Sequence, residues 1–184
     1  MNALILSGSR NPKGQTAHAA EALAGGLHDS GAEVETLFLP TCSLERCRQC
    51  EDSGWGICRS KGECIIKDDF ASLVAKIRQA EVVVFATPVY FGDLAESLRA
   101  FLDRLRRTCV QEKGREGIAG KTAAAICVAG GGGGRAPNCC VSVERVLHIC
   151  LMELYDTMPI RRQNLSVKMP VLHQLGRALA AEAS

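Results

Sequence analysis

Three times in this chain a short apolar run gives way to a glycine-bearing polar loop and then to a segment of helical period. The runs are Ala3 to Leu6, Val82 to Ala86 and Ala123 to Ala129, and the loops that follow are SGSRNPKGQT, TPVYFG and GGGGGR. Apolar runs of this length suit strands buried on both faces, and strands alternating with helices demand a parallel sheet covered on both sides. The expected class is α/β: a three-layer, doubly wound, five-stranded parallel sheet of order 2-1-3-4-5. Ligands of such sheets bind beyond the carboxyl ends of the strands, where all three loops would meet.

The remaining elements fill in this plan. A helix from about Gln15 to Ser30 stops at Gly31, and Glu33 to Leu39 supplies a more alternating, peripheral second strand. Asp69 reads as the N-cap of a helix over Phe70 to Gln79. Leu94 to Arg107 gathers Leu94, Leu98, Phe101, Leu102 and Leu105 on one side. A helix is expected over Asn138 to Leu154, a fifth strand over Thr157 to Leu165, and a terminal helix over Val171 to Ala183. Residues 1–184 then form a single domain, interrupted by an irregular insert at about 40–67 that is too long for an ordinary connection.

Charge narrows the choice of partners. The 22 basic residues nearly cancel the 20 acidic ones, leaving a formal charge of +2, and no block of one sign points to nucleic acid or a membrane surface. The opening MNALILSGSR has too short an apolar run, and no basic stretch before it, to read as a signal sequence. No later run reaches the roughly 18 apolar residues of a membrane helix. A cytoplasmic setting is expected, where thiols stay reduced. The ten cysteines then point to metal, cofactor or redox chemistry rather than to disulfide staples.

GSRNPKGQT, between a strand and a helix, is placed to bind an anion through backbone N–H groups at the helix start. Gly8 and Gly14 allow close approach, Ser9 and Thr16 offer hydroxyls, Gln15 an amide, and Arg10 or Lys13 positive charge. A polar turn that only caps the helix is the plainer alternative. In TPVYFG, Pro88 stiffens the turn while Tyr90, Phe91 and Gly92 offer flat surface and backbone donors; covering the sheet end is the competing role. The glycine run Gly130 to Gly134 suits either a planar ligand or a flexible surface loop.

Taken together, GSRNPKGQT, the cysteine-rich insert ending in CIIKDD, TPVYFG, FLDR, the glycine loop and RRQN resemble the flavodoxin-like NAD(P)H-dependent FMN reductases and their iron-sulfur flavoprotein relatives. TPVYFG with FLDR is the most specific part, and the likeness covers nearly the whole chain. It implies that Ser9, Arg10, Gln15 and Thr16, around Gly14, hold the FMN phosphate, although many relatives carry their arginine one position later, where this chain has Asn11. It implies flavin contacts from Thr87, Pro88, Val89, Tyr90, Phe91 and Gly92, with Gly131 and Gly132 bordering the ring. It also implies NAD(P)H as electron donor, and a homodimer or dimer of dimers packed through the FLDR helix. A flavin carries out hydride and electron transfer itself, so no side chain is assigned as catalytic.

Cys42, Cys47, Cys50, Cys58 and Cys64 lie in the insert. The C-x2-C-x2-C-x4-C pattern of the iron-sulfur relatives falls on Cys47, Cys50, Ser53 and Cys58, so its third position is a serine, a poor soft-metal ligand. A [4Fe-4S] cluster would need Ser53 itself or recruitment of Cys42 or Cys64. Cys47, Cys50, Cys58 and Cys64 are the expected metal set, with zinc, or no metal and a reversible Cys47–Cys50 disulfide, as alternatives. Cys109, Cys127, Cys139, Cys140 and Cys150 read as packing residues, and the four histidines share no ligand spacing.

Three functions fit these residues. The first is an FMN-binding oxidoreductase passing reducing equivalents from NAD(P)H to a flavin, quinone or other small acceptor. The second is an iron-sulfur flavoprotein exchanging electrons with a redox protein. The third is a flavin-dependent redox sensor or binding module.

Overall fold

A computed structural model describes residues 1–183. Its five strands are β1 (Asn2–Ser7), β2 (Glu33–Phe38), β3 (Val82–Pro88), β4 (Thr122–Ala129) and β5 (Glu153–Arg161). They form one parallel sheet of order β2-β1-β3-β4-β5, the order expected from the alternation of runs and helices. The helices are α1 (Gln15–Asp29), α2 (Ile57–Lys61), α3 (Phe70–Gln79), α4 (Glu96–Thr108), α5 (Glu112–Arg115), α6 (Ala136–Ile149) and α7 (Leu165–Glu182).

Alternate residues of the central strands feed two cores. Leu4, Leu6, Val83, Phe85, Ala123 and Ala125 face α3, α4 and α6, while Ala3, Ile5, Val82, Val84, Ala124 and Ile126 face α1 and α7. This period-two division is why β3 and β4 tolerate no polar interruption. On the second face α1 and α7 approach closely: a Cβ at Gly26 would lie 1.8 Å from the His173 carbonyl oxygen, and one at Gly176 would lie 2.1 Å from that of Leu23.

The carboxyl-terminal third departs from the sequence-based expectation. Helix α6 ends at Ile149, Leu151 takes a left-handed φ of 56°, and β5 begins at Glu153, so residues 150–154 are not helical. The fifth strand lies at 153–161 rather than 157–165. Helix α7 starts at Leu165 and carries Pro170 inside it. Strand β5 sits at the sheet edge and half its residues face solvent, so its alternation is weak. Pro170 is on the exposed side of α7, where its missing donor is least costly.

Asp69 is also not a side-chain cap of α3. Its carboxylate accepts the Ser43 amide at 2.7 Å, and the neighbouring Asp68 accepts the Phe70 amide at 3.2 Å. Both aspartates thereby tie the insert to the start of α3. No helix among the described residues is long and apolar enough to cross a membrane.

Candidate functional site

Because all strands are parallel, the loops after β1, β3, β4 and β5 open on one edge of the sheet. There Ser9, Asn11, Gly14, Gln15 and Thr16 line a cleft of about 480 Å³ with Pro88, Val89 and Tyr90, and with Val128, Gly130, Gly131 and Arg162. This is the size range of a cofactor site.

The first wall is the loop before α1. Gly8 is pinned by its amide to the Ala86 carbonyl at 2.8 Å, and the Ser9 hydroxyl exchanges bonds with the Asn11 backbone at 3.2 and 3.3 Å. Gly14 donates to the Asn11 carbonyl, and its own carbonyl accepts the His18 amide, the first helical bond. No side chain caps α1 and no acidic residue stands in its first turn. The helix start therefore presents amides and a positive dipole end to the cleft, beside the well-buried Ser9 and Thr16.

In the second wall, Tyr90 and Asp93 exchange backbone bonds at 3.0 and 2.9 Å across Phe91 and Gly92. Both central residues have positive φ, 52° and 90°, the pattern of a type I′ turn. For a bulky residue such as Phe91 that backbone is strained. The third wall is the glycine loop after β4, closed by a Gly133 to Gly130 bond at 2.9 Å and held by Gln163 donating to the Gly131 carbonyl at 3.3 Å. A Cβ at Gly130, Gly131 or Gly132 would meet nothing within 4 Å, so this wall is bare backbone.

Of the residues singled out from the sequence, Ser9, Gly14, Gln15, Thr16, Pro88, Val89, Tyr90 and Gly131 come together on the cleft. Arg10, Thr87, Phe91, Gly92 and Gly132 do not. Arg10 is exposed. Thr87 is fully buried, its hydroxyl accepting the Ala95 amide and donating to the Pro88 carbonyl. Phe91 projects wholly into solvent, and Gly92 packs on Arg135. The cation on the cleft is instead Arg162, from the RRQN segment after β5. Val128 was not singled out, Gly130 was read only as part of the glycine run, and Asn11 and Arg162 lay inside quoted motifs without being named as contacts. Arg162 was hidden because the fifth strand was expected to run on to Leu165, whereas it ends at Arg161.

A second concave site lies under the insert. Cys47, Cys50, Cys58 and Cys64 all line one narrow pocket, together with Arg104 and Arg107 of α4. Cys42 is not part of it; its thiol sits 3.8 Å from the Phe38 carbonyl, and burial pushes its pKa up. Ser53 is not part of it either, its hydroxyl accepting the Trp55 amide at 3.3 Å. Among the described residues no three His, Cys, Asp or Glu side chains stand close enough to hold one metal ion, so a single-zinc site is not formed. An iron-sulfur cluster takes one thiolate per iron and so spreads its ligands around a larger body.

Arg104 anchors this pocket. It is 1% exposed and grips Asp68 in a two-pronged ion pair at 2.6 and 2.8 Å, also donating to the Glu45 carbonyl at 3.0 Å. Burial alone would raise the Asp68 carboxyl, but the bonds from Arg104 and from the Glu45 and Phe70 amides outweigh it and hold it below the usual carboxylate range. The Asp and Arg of FLDR are thus not partners of each other: Asp103 pairs with Arg106 at 2.9 Å. The other five cysteines are buried in the α4–α6 core. Cys127 faces the thiols of Cys139 and Cys140, and these contacts with burial push its pKa up.

A doubly wound sheet of this strand order, with an anion-ready loop after its first strand, is the flavodoxin-like architecture. It superposes on a flavodoxin from the domain Archaea with a TM-score of 0.64 and 14% identity, covering 100% of this chain and 99% of that one. An NAD(P)H:quinone oxidoreductase from Methanothermobacter marburgensis gives 0.68 and 20%, over 97% and 96% of the two chains. More specifically, residues 1–153 match the NADPH-dependent FMN reductase family, and the chain belongs to that family. Among curated relatives, an iron-sulfur flavoprotein of Methanocaldococcus jannaschii is 29% identical over 106 residues, 58% of this chain and 52% of its own. One from Methanosarcina thermophila is 28% identical over 121 residues, 66% and 59%. The matched region thus spans about half the length of these relatives.

Proposed function

We propose that the cleft holds FMN and that the protein is an oxidoreductase passing reducing equivalents from NAD(P)H to a flavin, quinone or other small acceptor. The observation that carries this is the convergence of the uncapped α1 start, with Ser9, Gln15 and Thr16, on the same cleft as Tyr90 and the bare Gly130–Gly131 backbone. An anion at one end and a flat surface at the other is what a phosphorylated planar coenzyme requires. Bound FMN supplies the hydride and electron transfer.

The chain's own part is to bind and orient. The α1 amides, Ser9 and Thr16 take the phosphate, Arg162 balances its charge, and Pro88 to Tyr90 with Gly130 and Gly131 fix the plane of the ring. Family membership and the cleft's place at the carboxyl ends of the strands support this reading. Anaerobic absorption spectra of the purified chain, with and without added FMN, test it together with NADH and NADPH oxidation. Flavin bands that bleach on addition of either nucleotide are expected; a colourless protein that takes up no FMN rejects the assignment.

A second reading is favoured by one observation, four of the five insert cysteines on a single pocket. In it the protein is an electron carrier in which FMN works beside an iron-sulfur cluster, as the names of the archaeal relatives suggest of those proteins. Cys47, Cys50, Cys58 and Cys64 are the thiols that would hold the cluster.

A further inference from the structure

Two arginine donors in the wall of the cysteine pocket are buried without an oxygen or nitrogen acceptor. Arg104 spends both terminal nitrogens on Asp68 and Glu45, and its buried Nε–H finds no oxygen acceptor, with only the Cys64 thiol touching the guanidinium. Arg107, one turn further along α4, gives a terminal nitrogen to the Gly54 carbonyl and lies 4.1 Å over the Trp55 ring. Its Nε–H is likewise buried and unpartnered. Buried guanidinium donors are almost always satisfied, because desolvating one without an acceptor is costly. Two in the wall of one pocket point to acceptors supplied by an occupant.

The rest of the lining says what kind of occupant. Four thiols and the side chains of Ile57 and Ile66 face the pocket. The one carboxylate there, Glu63, is engaged at the rim by Lys113 at 3.0 Å. Arg104 is neutralised by Asp68, whereas Arg107 has no carboxylate partner among the described residues. An excess of positive charge, free N–H groups and four sulfur donors call for a body that is anionic, bristles with sulfur acceptors and takes thiolates. Cys64 moreover touches the guanidinium of Arg104, whereas Cys42 and Ser53, the other residues able to replace the missing third cysteine, are turned elsewhere.

Building on the electron-carrier reading above, we propose that Cys64 replaces the ligand lost to Ser53, and that Arg104 and Arg107 are positioning residues whose free Nε–H groups bond the sulfur atoms of a cluster held by Cys47, Cys50, Cys58 and Cys64. Such bonds, with the unbalanced charge of Arg107, favour the more negative reduced state and raise the cluster's potential.

The test uses the full chain, purified anaerobically and loaded with ferrous iron and sulfide. Iron and sulfide content, electron paramagnetic resonance of the dithionite-reduced protein and a potentiometric titration are the readouts, and flavin absorbance reports the fold in every variant. About four iron per chain is expected for the starting protein. Cys64→Ala should lose the cluster, while Cys42→Ala and Ser53→Ala keep it. Arg107→Lys and Arg107→Gln should still load but, at the parent's midpoint potential, be biased about tenfold toward the oxidised form. A yellow protein that takes up no iron overturns the electron-carrier reading and this proposal with it, leaving the FMN reading intact. Loading that survives Cys64→Ala but not Cys42→Ala overturns the ligand assignment. Unchanged potentials in both Arg107 variants overturn the role of the arginines.

Discussion

The cleft at the strand ends and the pocket under the insert are built by opposite means. The cleft is made of backbone: a helix start without a cap, a bare glycine loop, and a tight turn through Phe91 and Gly92, all delivered by parallel strands. The pocket is made of side chains on a segment with one short helix, and what holds it is a handful of polar bonds from α4 and the start of α3, centred on the Arg104–Asp68 pair. A site that topology delivers survives loss of a single contact; a site held by one buried ion pair does not.

The most severe test of that contrast is Arg104→Ala. It leaves Asp68 charged in a buried place with only the Glu45 and Phe70 amides and no cation, a loss of about 3–5 kcal/mol. Urea unfolding should show that loss, and limited proteolysis should open residues 42–67 while the flavin cleft still binds FMN. If the insert stays protected, the pocket does not depend on the ion pair and the contrast fails.

Next in size is Gly14→Val. A Cβ there lies 3.3 Å from the Asn11 side chain and carbonyl, tight but not prohibitive, while the added bulk stands where an anion must approach the α1 amides. FMN affinity, followed by fluorescence quenching, should fall about 100-fold, equivalent to losing one charge-assisted bond network of about 2.7 kcal/mol. Thermal unfolding of the apoprotein should move little. A large drop in stability with FMN affinity retained would reverse the contrast.

Acid should release the insert before the sheet. The Asp68 carboxyl is held below its unfolded value, so the stability it contributes is complete above about pH 4 and is lost as pH falls through the lowered folded value. Cleavage of residues 42–67 by an acid-active protease, measured as pH is lowered, should therefore rise in the parent, and Asp68→Asn should expose the insert thiols to alkylation already at neutral pH. The smallest effect belongs to Gly132→Ala. Its Cβ meets open space, and a change in stability within about 0.5 kcal/mol is expected from calorimetry.

Legibility in the sequence followed the same division. The buried strands β1, β3 and β4 and helices α1 and α3 could be placed within a residue or two, because apolar runs and helical period are local consequences of burial on a sheet. The edge strand β5 and the start of α7 were misplaced, because an edge strand alternates weakly and Pro170 tolerates a helix when it faces solvent. At the cleft, Ser9, Gly14, Gln15, Thr16 and Tyr90 were legible from loop chemistry. Arg162 was not, because nothing local tells which of the cations Arg10, Lys13 and Arg162 will turn toward a shared cleft.

From its residues alone the chain was committed to a doubly wound sheet with an anion-ready loop after the first strand, since hydrophobic period and loop composition are written along the backbone. Only the tertiary structure decided that the four expected thiols, Cys47, Cys50, Cys58 and Cys64, line one pocket away from Cys42 and Ser53, and that Arg104 reaches back to Asp68. The ion pair joins residues 36 positions apart, and no local pattern records which way a side chain in an irregular loop will point once a helix packs against it.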